Sequence, residues 1–150
     1  MIKIVCIGKI KENFYKDAIN EYKKRISKYT NIEIIQLDDY SFDIKKSMLL
    51  EYNNIIKVLN KNDYNILLDI KGVELDSVSF AKKINDRLIE NSNITFIIGG
   101  SNGVLDELRE KVDFCLSFSK MTFPHQLFRV ILLEQIYRAF KINSNESYHK

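Results

Sequence analysis

Read from its first residue, the chain alternates short β-branched apolar runs with longer stretches whose apolar positions recur every three or four residues. Ile2-Lys3-Ile4-Val5-Cys6-Ile7 reads as a strand stopped by Gly8, and the next segment puts Tyr15, Ala18, Ile19, Tyr22 and Ile26 on one helical face. The unit then repeats. Ile32 to Leu37 is a second strand, Ile44 to Leu59 a second helix with Met48, Tyr52, Ile55, Ile56 and Leu59 inward, and Asn65 to Ile70 a third strand. Asp76 or Ser77 caps a third helix carrying Phe80, Ile84 and Leu88, after which Ile94 to Ile98 forms a fourth strand ending in Gly99-Gly100. Nearly continuous apolar strands separated by helices predict an α/β fold: a parallel sheet covered on both faces, with ligands beyond the carboxyl ends of its strands.

The last third of the chain departs from that rhythm. Gly99-Gly100-Ser101-Asn102-Gly103 precedes a short helical stretch, Leu105 to Glu110, and its glycines let backbone approach a ligand closely. Val104 stands where a P-loop needs Lys, and the dinucleotide G-x-G-x-x-G spacing is absent, so on composition alone a ligand-free turn carries equal weight. Leu116 to His125 alternates like an edge strand until Pro124, which must end it and start a helix at or near N1. From Leu127 to Phe140 apolar residues point all round the helical wheel, interrupted by Arg129, Glu134, Gln135 and Arg138. One layer of neighbours should not cover such a helix, which predicts a symmetric partner subunit.

The C-terminal residues would ordinarily fray. Tyr148-His149-Lys150 nevertheless sets a stacking ring, a titratable imidazole and a cation side by side, a group suited to holding an unstacked base and its phosphate. Asn145 tolerates a left-handed backbone and can turn this tail back toward a pocket.

At 150 residues the chain suits one domain, residues 1–150, and its net charge of +3 permits RNA binding without arguing for it. Cys6 and Cys115 lie in separate apolar stretches and read as reduced core thiols, and no short-range Cys or His pair supports a metal site. No apolar run approaches the ~20 residues that span a bilayer, and Met1-Ile2-Lys3-Ile4-Val5 lacks a signal-peptide layout, so a cytoplasmic location without membrane contact is expected.

Ile97-Ile98-Gly99-Gly100-Ser101-Asn102-Gly103, Leu116 to His125, Glu134-Gln135-Ile136-Tyr137-Arg138-Ala139 and Tyr148-His149-Lys150 together resemble the ribosomal RNA large subunit methyltransferase H family, of the SPOUT class. The resemblance runs the length of the chain, with its most specific motifs between Ile94 and Lys150. It implies a parallel-sheet fold with a C-terminal trefoil knot, a rare exception to unknotted connections. It also implies a homodimer that uses S-adenosylmethionine to methylate N3 of a pseudouridine in 23S rRNA on the ribosome. Carried over position by position, the cofactor residues are Leu68, Gly99 and Phe118, Ser119, Lys120, Met121, Thr122 and Phe123. On residue type, catalysis falls to Tyr148, His149, Lys150 and Arg138: the N3 proton leaves to His149 or to water while Lys150 or Arg138 stabilises the anion. Two alternatives are an RNA-binding or ribosome-assembly module that has lost catalysis and a regulatory nucleotide-binding domain. The first predicts bulky or charged replacements in the cofactor segment, and none is visible there.

Overall fold

A computed structural model describes all residues 1–150. The elements run β1 (Ile2–Ile7), α1 (Asn13–Ile26), β2 (Ile32–Leu37), α2 (Ile44–Val58), β3 (Tyr64–Glu74), α3 (Ser77–Asn91), β4 (Ile94–Ile98), α4 (Asp106–Lys111), β5 (Phe114–Ser117) and α5 (His125–Asn143). Every strand pair is parallel, in the order β2-β1-β4-β3-β5. The central strands bury both faces, which is why β4 carries no exposed side chain and reads as an unbroken apolar run.

The alternation of side chains across the pleat divides the core in two. On one face Ile2, Ile4, Cys6, Ile66, Leu68, Phe96 and Ile98 pack with Ile19 of α1, Phe80 and Ile84 of α3, and Leu132, Leu133 and Ile136 of α5. On the other, Val5, Ile7, Leu67 and Ile97 meet Ile55 of α2 and Leu108 of α4. Asp43 and Asp76 accept hydrogen bonds from the backbone N–H groups of Lys46 and Ser79, capping α2 and α3. Both cysteines are free; Cys6 is buried and Cys115 half-buried.

Four elements differ from the sequence expectation. Strand β3 continues past Ile70 to Glu74: Leu116 pairs first with Leu68 and again with Val73, so the intervening residues bulge around β5. Gly72 permits that approach, since a Cβ there would lie 2.6 Å from the carbonyl carbon of Cys115. Strand β5 stops at Ser117, where the hydroxyl of Ser117 donates to Ser119 O and Ser119 Oγ accepts from Met121 N, replacing ladder bonds with turn bonds. Along α2 the most buried stripe is Ser47, Glu51 and Ile55, with Met48, Tyr52 and Ile56 flanking it. Finally, α5 is covered within one chain more fully than its composition suggested. It lies against α1 and α3, the tail packs on Tyr137, and no residue from His125 to Ile142 is exposed. Its circumference therefore does not by itself require a second subunit.

Candidate cofactor and acceptor site

Because all strands point the same way, the ends of β3, β4 and β5 open on one edge, and the turns that follow them enclose a cavity of about 470 Å³. Its walls include Leu68, Ile98, Leu116, Phe118, Phe123 and Phe128, with Ser101, Asn102, Ser119 and Thr122 supplying neutral polar groups. Leu68, Gly99, Phe118, Ser119, Met121, Thr122 and Phe123 are thus brought together around one space. Lys120 is not among them: it is exposed, within the tight turn at Ser119. At Gly99 a Cβ would lie 2.5 Å from Val104 Cγ1, so the glycine is needed first for the turn's own packing. Gly103, at φ +81°, closes the turn, its N–H donating to Gly100 O at 3.1 Å.

A charged cluster at the cavity mouth escaped the sequence reading. Arg109 of α4 pairs with both Asp69, at the end of the regular part of β3, and Asp106. Asp69 also accepts from Lys71 N at 3.2 Å. Burial works to raise the Asp69 carboxyl, but Arg109 and the Lys71 N–H outweigh it and hold it below its ordinary value. The pair ties the β3 end to the helix beyond the glycine turn. His125 lines the same cavity, and burial together with the Arg129 charge lowers its pKa. Arg129 itself is 1% exposed and donates to the carbonyls of Ile7 and Gly8 at 2.6 and 2.8 Å, fastening α5 to the end of β1.

A second cavity of about 510 Å³ adjoins the first and shares Leu116, Phe118 and Phe123 with it; Asp76, Ser77, Ile131, Gln135 and His149 complete much of its lining. His149 reaches it because Asn145, at φ +54°, reverses the chain after α5 and sends the tail back along the helix. Of the four residues assigned to catalysis, His149 alone lines it, and Arg138 and Tyr148 cluster behind His149. Arg138 donates to Glu134 through Nε and Nη2, at 3.0 and 2.5 Å, and lies 4.9 Å from the centre of the Tyr148 ring. The Tyr148 hydroxyl donates to Glu134 at 3.1 Å, and Arg138 Nη1 lies 3.2 Å from His149 Nδ1. Burial and the neighbouring Glu134 carboxylate push the Tyr148 phenol up to about 12, so it stays protonated. Lys150 is exposed beyond them. Glu134, which stands in the sequence as a polar interruption of the helix and within the motif of the resemblance, organises the group through its i,i+4 pair with Arg138.

With this geometry established, comparison with known proteins is informative. The family described as "Predicted SPOUT methyltransferase" matches residues 1–149. A Methanococcus maripaludis protein provisionally named ribosomal RNA large subunit methyltransferase H is 54% identical, with 99% of each chain covered. Proteins of that name from Malacoplasma penetrans and Caldicellulosiruptor saccharolyticus are 45% and 43% identical, covering 99% and 100% of each chain. Among solved structures, a Haemophilus influenzae Rd KW20 chain described as "a probable methylase family protein" shares the fold, with a TM-score of 0.59 at 15% identity, covering 99% of this chain and 70% of that one. The chain belongs to the SPOUT methyltransferases, in the ribosomal RNA large subunit methyltransferase H family.

Proposed function

We propose that residues 1–150 form one SPOUT domain that transfers a methyl group from S-adenosylmethionine to N3 of a pseudouridine in large-subunit ribosomal RNA, acting on ribosomes in the cytoplasm. The observation that carries this reading is the pair of adjoining cavities, separated only by Leu116, Phe118 and Phe123 and reached on the far side by His149. The first suits the donor: apolar walls and ring faces flank a nucleoside while the glycine turn and Ser119–Thr122 offer backbone groups to its edge. The second, with the tail beside it, suits the acceptor base. The C-terminal knot is part of the proposal, and what supports it is membership of the SPOUT family.

Bound in the first cavity, the cofactor supplies a methyl carbon activated by its sulfonium. The transfer forms the N3–methyl bond, breaks the methyl–sulfur bond and requires loss of the N3 proton, so alignment supplies much of the acceleration. Arg138 can only donate, so its contact with His149 makes Nδ1 the acceptor and puts the neutral ring's proton on Nε2. His149 then offers an N–H to the developing anion, together with Lys150, and the N3 proton leaves to water. Arg138 and Tyr148, both tied to Glu134, hold the ring in place. A homodimer completes the proposal: Ile70 and Met121 at the first cavity and Val78 at the second are large exposed apolar residues, an arrangement a second copy would cover.

Calorimetric titration with S-adenosylmethionine and with ATP, followed by mass mapping of nucleosides from ribosomes of a deletion strain before and after treatment with the protein, tests the reading. Binding of S-adenosylmethionine and one restored methylpseudouridine are expected. ATP binding without either result would assign the chain to nucleotide sensing.

A further inference from the structure

Helix α2 buries a carboxylate that no part of the proposed chemistry uses. Glu51 is 5% exposed and pairs with no Lys or Arg. Its two oxygens lie 2.8 and 3.1 Å from where a Cβ would stand on Gly100, the second residue of the glycine turn. The space lined by Glu51, Gly99, Gly100, Gly103 and Val104 is about 10 Å³, room for one water at most. The backbone N–H of Tyr40, in the loop between β2 and α2, lies near enough to the carboxylate to favour its charged form. The same loop is held again one turn along, where Asn54 Nδ2 donates to the Tyr40 hydroxyl at 2.9 Å. Packing alone would be better served at position 51 by an apolar side chain of equal volume, because an unpaired buried carboxylate costs stability.

We propose that Glu51 is a positioning residue for the donor site: wedged between the Tyr40 backbone and the α-carbon of Gly100, its carboxylate holds the Gly99–Gly103 turn in the form that leaves the first cavity open. The assignment of that cavity to the cofactor rests on the function proposed above; the control of the turn does not. Burial, with Asp39 adding like charge, raises the Glu51 pKa, and the Tyr40 N–H works in the opposite direction. The carboxyl is therefore held in place at a cost that a packing residue would not incur.

Glu51→Gln keeps the shape and one acceptor oxygen but removes the charge; Gly100→Ala drives a methyl into the carboxylate from the other side. Both are compared with the full-length protein by amide hydrogen exchange without ligand, by melting, and by calorimetric titration with S-adenosylmethionine. Exchange about tenfold faster, confined to the amides of Gly99–Val104, is expected in each variant. Cofactor affinity should weaken by a similar factor in each, and in Glu51→Gln turnover at saturating cofactor is retained. Unchanged exchange at the turn in the folded variants overturns the proposal, as does loosening spread through α2 and the core, which marks a packing role. Faster exchange at the turn in a protein that binds no S-adenosylmethionine even as wild type leaves Glu51 in its role and refutes the cofactor reading instead.

Discussion

At the amino ends of the strands, Asp63 accepts from Lys3 and Thr95 at 2.9 Å and from Asn93 at 3.1 Å, and Asn65 N donates to Asp113 at 2.7 Å. At the carboxyl ends of the same strands, the chain turns through Gly99–Gly103 and Phe118–Phe123, encloses two cavities and buries the unpaired Glu51. One edge pairs most of its polar groups among themselves, with Asn65 Oδ1 the exception. The other spends backbone conformation, cavity volume and a lone carboxylate on open space. Since both edges share every strand, the difference lies in the connections: a parallel sheet presents all its strand-to-helix turns on one side, and that side is free to specialise.

The largest expected effect lies at the open edge. A variant ending at Ser147 loses the Tyr148 ring, the His149 N–H and the Lys150 charge. Single-turnover methylation of ribosomes should fall by roughly 10³-fold. Melting and cofactor titration should barely change, because Tyr148 is the only one of the three that is even half-buried. Wild-type turnover would remove the tail from catalysis; lost cofactor binding would move it to the donor side of the shared wall.

The closed edge should give the opposite signature. Asp63→Ala leaves Thr95 and Asn93 without their acceptor and Lys3 without its partner, which should cost about 3 kcal/mol of stability. Cofactor affinity measured well below the melting temperature should match wild type. A large change in affinity would show that the two edges are coupled through the strands.

Smaller effects test the turns. Gly99→Val must displace Val104, and overpacking of ~1–2 kcal/mol there should weaken S-adenosylmethionine binding roughly tenfold. Unchanged affinity in the folded variant would remove Gly99 from the site. Met121→Ala, at a residue 74% exposed beside the cavity mouth, should weaken a dimer by about fivefold in sedimentation. A wild-type chain that sediments as a monomer at micromolar concentration would discard the dimer altogether.

The two edges also differ in how far the sequence discloses them. Strands β1, β2 and β4 and the faces of α1 and α3 follow from periodicity, because burial on a sheet or helix repeats with the backbone. Gly99, Phe118 and Phe123 were legible through the resemblance, and the reversal at Asn145 through its residue type. Asp69, Arg109 and Glu51 were not legible. A charge on a helix or at a strand end reads as a solvated group until its distant partner is known, and Asp69 meets Arg109 only across 40 positions that include α3 and β4. The β3 extension was hidden for the same reason. Lys71, Gly72 and Glu74 look like loop residues, and the strand resumes because Val73 and Glu74 pair with Leu116 and Ser117 of β5.

The smallest effect separates the edges by pH. His125 lines the first cavity, and burial with the Arg129 charge lowers its pKa from 6.5. Between that value and the lowered one, the unfolded chain holds a proton that the folded chain does not, so stability is complete above about 6.5 and declines as pH falls through the lowered value. A protonated His125 would also oppose a cationic cofactor in the same cavity, and S-adenosylmethionine affinity should decline over the same range. At the closed edge, burial raises the Asp63 carboxyl, but Lys3, Thr95 and Asn93 together bring it below its ordinary 3.8. Stability from that network persists until pH falls through this lower range. Melting and cofactor titration at pH 5.5 and 7.5 should therefore show a modest loss at the lower pH that His125→Asn abolishes and that Lys3→Met leaves in place. A loss unaffected by His125→Asn would place the acid-sensitive group outside the cavity.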